Sequence, residues 1–412
     1  VKPVRLAYVA THPIQYQAPL LRYINAHSNI EITALFMSDF SVREYHDEEF
    51  GTTFKWDVDL LSGYEHRFLP TFGDNTRIDG ARPFVKSWRK ALKETGADVC
   101  WSHGYAQPNN LRALFAARSL GMKTMTRSDI WELSKLGGGL KRRVKDKLVR
   151  WVFSRIDAFL CVGSLNRDYY RDAGVPDEKL FWAPYTVDNE AFVASVEAAR
   201  PQVAAFKSSV DMDANRPVIL YASKLTRRKK IDDLMAAYEK VAAPLPEHER
   251  PYLLVVGDGE MKPELESWMR RLGWESIKFL GFQNQSRLPL MFAASDIFVL
   301  PSAREPWGLI VNEVMNAGLP VVLTDECGCA PDLVPDGENG FVYPVGDIDA
   351  LAQALATLSS DRELRLRMGE ASRRIIETWS HRECLDALAK CLRGWGHEIE
   401  IQAEATEERH HA

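Results

Sequence analysis

The sequence predicts an α/β protein built as two parallel-sheet domains facing a cleft. Three observations carry that prediction. The chain has 412 residues, more than one typical core, and a prior of about 150 residues per domain gives two or three units. Short apolar runs alternate with helical stretches, the pattern of strands joined by crossover helices. The alternation occurs twice, separated by an Ala-rich polar stretch without a strand, Asn189 to Asn215.

In chain order, the first series of strands is Leu6 to Ala10, Ile30 to Met37, Val99 to Trp101, Thr124 to Met125, Ala158 to Val162 and Leu180 to Ala183. The segment Phe40 to Pro83, rich in aromatic and charged residues, reads either as an inserted lid or acceptor loop or as an irregular crossover. The second series is Val218 to Ala222, Tyr252 to Val256, Ile277 to Leu280, Ile297 to Leu300 and Val321 to Leu323. No sequence repeat links the halves. Residues 1–190 thus read as an N-terminal Rossmann-like domain, 191–215 as the connection and 216–375 as a C-terminal Rossmann-like domain. From Ile348 the pattern is helical through Arg393. Residues 376–393 read as a last helix packing back toward the N-terminal domain, and 394–412 as a polar, Glu-rich, frayed tail.

Composition excludes some functions. Hydrophobic content of 46 % and a net charge of −5 describe an ordinary globular protein with no general attraction for nucleic acid. Six cysteines, at 100, 161, 327, 329, 384 and 391, form no CxxC pair and no zinc spacing, and they read as reduced thiols of a cytoplasmic protein. Cys327-Gly328-Cys329 reads as a ligand-facing loop rather than a redox pair. Val4 to Ala10 reads as a strand rather than part of a signal peptide, and no run approaches the ~20 apolar residues of a membrane span. The stretch 140–155 carries Lys141, Arg142, Arg143, Lys145, Lys147, Arg150 and Arg155 among Leu140, Val144, Leu148, Trp151 and Phe153. As a helix it is basic and amphipathic. Two readings stay open for it, a solvated charged face over the sheet and peripheral contact with the anionic inner face of a membrane.

The chemistry gathers around Pro301 to Gly318, which leaves the strand Ile297 to Leu300, crosses a loop and enters a helix ending at Gly318. Free amides at a helix start attract phosphate. Glu305 in the loop and Glu313 well inside the helix bracket the amides of Gly308 and Leu309. Carboxylates repel phosphate, so their natural partners are hydroxyl groups on either side of it. A sugar, a diphosphate and a ribose present that order. The cationic loop Ser223 to Lys230 follows the first strand of the second sheet, where Lys224 and Lys229 point toward the same helix start or else lie in a solvated turn. Gly257 and Gly259 let backbone approach a ligand closely.

In the first half, loops at the carboxyl ends of strands face the cleft. His12, Gln15 and Gln17 follow the first strand and either hold sugar hydroxyls or phosphate or cap a turn. His103 is an acceptor contact or general base, or else a structural histidine. Asp129, in Arg127-Ser128-Asp129, makes either a salt-bridged turn or a site for acceptor hydroxyls.

From Ala222-Ser223-Lys224-Leu225 with Lys229, through Val256-Gly257-Asp258-Gly259, Phe279-Leu280-Gly281-Phe282 and Glu305 to Glu313, to Asn339-Gly340-Phe341 with Pro344, the second half resembles the retaining family 4 glycosyltransferases of GT-B fold. The resemblance covers about residues 216 to 380 in order and spacing. Val162-Gly163-Ser164 and Pro184 to Asp188 look like the family's strand ends before the hinge. Ser223 and Lys230 replace usual glycines, Lys224 replaces a usual arginine, and Cys327-Gly328-Cys329 stands where Gly-Gly is common. The first half lacks the family's Gly-rich first loop and a histidine after the strand at Thr124.

The resemblance implies a retaining glycosyltransferase that moves a sugar from a nucleotide diphosphate to an acceptor hydroxyl in glycan or glycolipid biosynthesis. Lys224, Lys229, Gly308 and Leu309 would hold the diphosphate, Glu305 the donor sugar and Glu313 the ribose. No cofactor or metal is called for beyond the nucleotide-sugar co-substrate, for which UDP is favoured over GDP or ADP. The resemblance also makes residues 1–190 the acceptor-binding domain and 216–375 the nucleotide-sugar-binding domain, the acceptor being a glycan, a lipid-linked sugar or a small molecule. The alternatives are a nucleotide-sugar epimerase of the same architecture and a non-catalytic sugar-nucleotide-binding partner protein.

Overall fold

A computed structural model describes residues 2–47, 51–73, 82–131 and 140–402. Two parallel sheets dominate it. The N-terminal sheet has seven strands in the spatial order Leu180–Trp182, Ala158–Cys161, Lys123–Ser128, Val99–His103, Val4–Ala10, Ile30–Phe36 and Glu65–Phe68. The C-terminal sheet has six, in the order Ile277–Gly281, Tyr252–Val256, Val218–Ala222, Ile297–Leu300, Val321–Thr324 and Gly340–Tyr343. Central strands such as Val4–Ala10 and Val218–Ala222 are apolar along nearly their whole length because helices cover both faces of a parallel sheet. In each sheet the first strand of the series has later strands on one side and returning ones on the other. That reversal opens a crevice at the carboxyl ends of the strands.

Two strands lie outside the apolar reading. Glu65–Phe68 pairs in parallel with Ile30–Phe36 at the sheet edge, and its largely exposed charged residues erase any hydrophobic pattern. The segment Phe40 to Pro83 is therefore not an irregular crossover. It contributes this strand, the antiparallel pair Tyr45–Asp47 with Thr52–Phe54, and the strand Thr71–Phe72, which pairs antiparallel with Phe84–Val85 just past it. Gly340–Tyr343 closes the other sheet beside Val321–Thr324. Gly340 is required there, since a Cβ would stand 1.8 Å from the Val321 carbonyl oxygen.

The connection between the sheets is helical rather than an open linker. Asn189–Ala199 and Val203–Ser209 flank a single turn, and Val196 and Ala199 join the core that holds Leu290 and Val314. The last helix, His381–Gly394, is closed by a capping box between Ser380 and Glu383. Its face Cys384, Leu385, Leu388 and Leu392 completes the N-terminal core around Leu20 and Ile24. The start of the polar tail is not frayed: the Gln402 N–H donates to the His27 carbonyl at 2.9 Å, and Ile399 is buried. Residues 403–412 lie outside the described chain.

Candidate active site

Glu305 sits on the loop between Ile297–Leu300 and the helix Ile310–Asn316, and groups from both domains fix its backbone. Its N–H donates to the Glu326 carbonyl at 2.9 Å, and its own carbonyl accepts from Gly328 N–H at 2.9 Å. Trp131 of the N-terminal domain donates its indole N–H to the same carbonyl at 3.2 Å. The carboxylate is 7 % exposed and accepts from Lys229 Nζ and, at 3.3 Å, from an Arg228 guanidinium nitrogen. A buried carboxylate needs such partners, and two cations meet the requirement.

The helix beyond is shorter than the sequence pattern suggests, so Glu313 lies in its first turn and not well inside it. Gly308 takes a positive φ of 92°, and a Cβ there would approach Leu300 Cδ2 to 3.0 Å. No backbone carbonyl among the described residues accepts from the Gly308 or Leu309 N–H. Burial pushes the Glu313 carboxyl up to about 7, against the opposing effect of a hydrogen bond from Gln285 Nε2 at 3.2 Å. Lys224 Nζ reaches across the cleft to Asp47 at 3.1 Å, on the hairpin of the other domain. Both lysines expected on a diphosphate thus lie at the cleft, each held by a carboxylate.

From the N-terminal side, burial pushes the His12 imidazole down to about 4 and the His103 imidazole down to about 3; for His103 the Arg127 and His12 charges add to the effect. Both rings are neutral and weakly basic near neutral pH, which weighs against His103 as a general base. His103 Nδ1 is buried and has no hydrogen-bond partner among the described residues. Burial raises the Asp129 carboxyl, as does Glu305 opposite it. Tyr16 feels the charge of several of these groups: burial raises its hydroxyl, and the Glu313, Asp129 and Glu305 charges raise it further. Gln15 and Tyr16 line a cavity of about 560 Å³ with Gln285 and Glu313, bounded by the connecting helix at Ala191 and Phe192.

Several expected residues have other duties. Gln17 is buried, with its amide oxygen 3.5 Å from Arg127, and does not face the cleft. Arg127, 1 % exposed, makes no salt-bridged turn with Asp129; it donates to the Ala183 and Pro184 carbonyls and lies over the Tyr185 ring at 5.1 Å. Gly257 serves strand packing, because a Cβ at its φ of 142° would stand 1.9 Å from the Ser223 carbonyl oxygen. Gly259 has the same kind of backbone, φ 149°, and its N–H is taken by the Asp258 carboxylate at 2.9 Å. Cys327 and Cys329 are unpaired and wholly buried, and burial pushes the Cys327 thiol up to about 12, so they line the core rather than a ligand. Tyr16, Trp131, Arg228 and Gln285 escaped the sequence reading. Tyr16 stood inside a segment already suspected, between Gln15 and Gln17, and Trp131 lies two residues past Asp129.

Comparison with known proteins follows this geometry. Residues 203–375 match the family described as glycosyl transferases group 1. The chain is 29 % identical over 327 residues to an alpha-D-kanosaminyltransferase of Streptomyces kanamyceticus, covering 74 % of this chain and 82 % of that one. It is 31 % identical over 193 residues to a lipopolysaccharide core biosynthesis glycosyltransferase of Rhizobium meliloti, covering 46 % of this chain and 54 % of the relative, so it spans about half of that protein. Among solved structures, Anabaena HepE, crystallised with UDP, superposes with a TM-score of 0.70 at 17 % identity, over 95 % of this chain and 100 % of that one. The fold is α/β of the GT-B type, and the chain is a relative of glycosyltransferases.

Proposed function

We propose that this protein is a retaining glycosyltransferase that transfers a hexosyl or related group from a nucleotide diphosphate, UDP before GDP or ADP, to an acceptor hydroxyl. The observation that carries the reading is Glu305: a carboxylate fixed by Lys229 and Arg228, a few residues before the amides of Gly308 and Leu309, with its charge felt by Asp129 of the other domain. The names of similar proteins support a transferase, and HepE's complex with UDP supports a uridine nucleotide.

In this reading Lys224 and Lys229 turn from their carboxylates to the diphosphate and stabilise the charge that grows on it as the glycosidic bond breaks. The leaving phosphate takes the acceptor proton on the same face. Glu305 then holds donor-sugar hydroxyls, and Glu313, largely protonated below its elevated pKa, meets the ribose. His12, His103, Gln15 and Asp129 are left to receive the acceptor. The closed cleft keeps water from the donor.

The test is transfer by Glu305→Ala, Lys224→Ala and Lys229→Ala, with donor identified by thermal shift against UDP, GDP and ADP. Each substitution is expected to lower turnover by roughly 100-fold, the scale of a lost electrostatic contact to a transition state. Near-normal rates in all three would remove the donor site from this cleft. Conversion of donor with no acceptor present would instead mark an epimerase.

A further inference from the structure

The helix Leu140–Phe153 carries two apolar faces, and the fold buries only one. Val152 and Phe153 are buried, the Phe153 ring packing edge-on against Tyr105, Phe159 and Tyr170. At 3.6 residues per turn, Val144, Leu148 and Trp151 fall on a single stripe on another side of the helix. They stand 60 %, 57 % and 47 % exposed, the Trp151 ring lying 5.6 Å from that of Phe115 at the edge of the stripe.

Charge surrounds that stripe in a definite pattern. Arg143, Lys145, Lys147 and Arg150 are exposed beside it, and the Arg155 guanidinium lies over the Trp151 ring at 3.9 Å. The helix has one acid, Asp146, which is half-buried and acts on the Tyr169 hydroxyl beneath. A face adapted only to water would place charge, not a tryptophan and two aliphatics, at its centre. A second copy of this face is a poor partner, since docking would bring cation against cation.

We propose that this face docks on a bilayer rich in anionic phospholipid. Val144, Leu148 and Trp151 enter the boundary between headgroups and acyl chains, while the flanking cations meet lipid phosphates. The docking is reversible and peripheral: among the described residues no helix is long and apolar enough to cross a membrane. It stands whether or not the cleft transfers a sugar.

The test is co-sedimentation of the full chain with vesicles of phosphatidylcholine alone and with about a third phosphatidylglycerol. The expected result is binding to the anionic vesicles that weakens with salt and is nearly absent on neutral ones. Val144→Ser/Leu148→Ser/Trp151→Ser, and separately Lys145→Glu/Lys147→Glu, should each cut the bound fraction roughly tenfold, with circular dichroism and nucleotide binding unchanged. Equal binding to neutral vesicles, full binding by the triple variant, or no binding by the native chain overturns the proposal. So does a dimer in sedimentation that the triple variant abolishes, which would give the face to a second copy.

Discussion

Glu313 is a carboxyl whose charge the fold opposes. Burial raises its pKa from 4.5 to about 7. Its stabilising effect is fully present below pH 4.5, where folded and unfolded states are both protonated, and is lost as pH rises through 7, because only the unfolded state ionises freely. Glu313→Gln, which keeps the Gln285 partner within hydrogen-bond range, should therefore be more stable than the native chain above pH 7. The gain is on the order of 3 kcal/mol, from about 1.4 kcal/mol per pK unit. Denaturant melts at acid and alkaline pH measure it, and an equal difference between the two proteins at both would disprove the buried neutral acid. His12 and His103, held neutral by burial, act in the opposite sense, costing stability as pH falls below 6.5. Comparing variant with native chain cancels their effect.

At the scale of elements, the hairpin Tyr45–Asp47 with Thr52–Phe54 acts as a strap across the cleft. Asp47 holds Lys224, Phe54 packs on Phe282 with ring centres 4.4 Å apart, and the Lys55 carbonyl and Asp57 carboxylate take hydrogen bonds from Asn284 and Ser286. In the proposed donor complex, Asp47 and the diphosphate would compete for the same ammonium. Asp47→Asn should consequently tighten nucleoside-diphosphate binding several-fold, about the scale of one partly exposed ion pair. Calorimetric titration with UDP reads the change; unaltered or weaker binding would show that the lysine is not the shared group.

For the whole molecule, the two domains meet along two edges of the cleft. The strap forms one. On the other, Asp332 of the C-terminal domain accepts from the Ser164 N–H at 2.8 Å and so caps an N-terminal-domain helix, while Gly163 leaves room for Trp307, to which a Cβ would come within 2.4 Å. Asn312 Nδ2 adds a bond to the Tyr185 carbonyl at 2.9 Å. Asp332→Ala should cost about 1 kcal/mol through the lost cap. It should also raise donor hydrolysis relative to transfer, since a looser cleft admits water. Product analysis with and without acceptor provides the ratio; an unchanged ratio would mean that this edge does not control closure.

Much of this was legible in the chain. Alternating apolar runs predicted both parallel sheets, because a strand covered on both faces must be apolar wherever it occurs. The spacing of Glu305, Gly308 and Glu313 marked the candidate site, since one loop and one helical turn separate them along the chain. What the sequence could not supply was the edge strand Glu65–Phe68, whose exposure hides its pattern, and the partners of the charges. Lys224 meets Asp47, Glu305 meets Trp131, and Arg127 turns inward to Ala183, Pro184 and Tyr185. By itself the sequence determined the strands, the loops that end them and the residue types those loops carry, all consequences of local periodicity. Only the tertiary structure decided which of those residues meet, because contacts between separate loops depend on how two packed sheets close on one another.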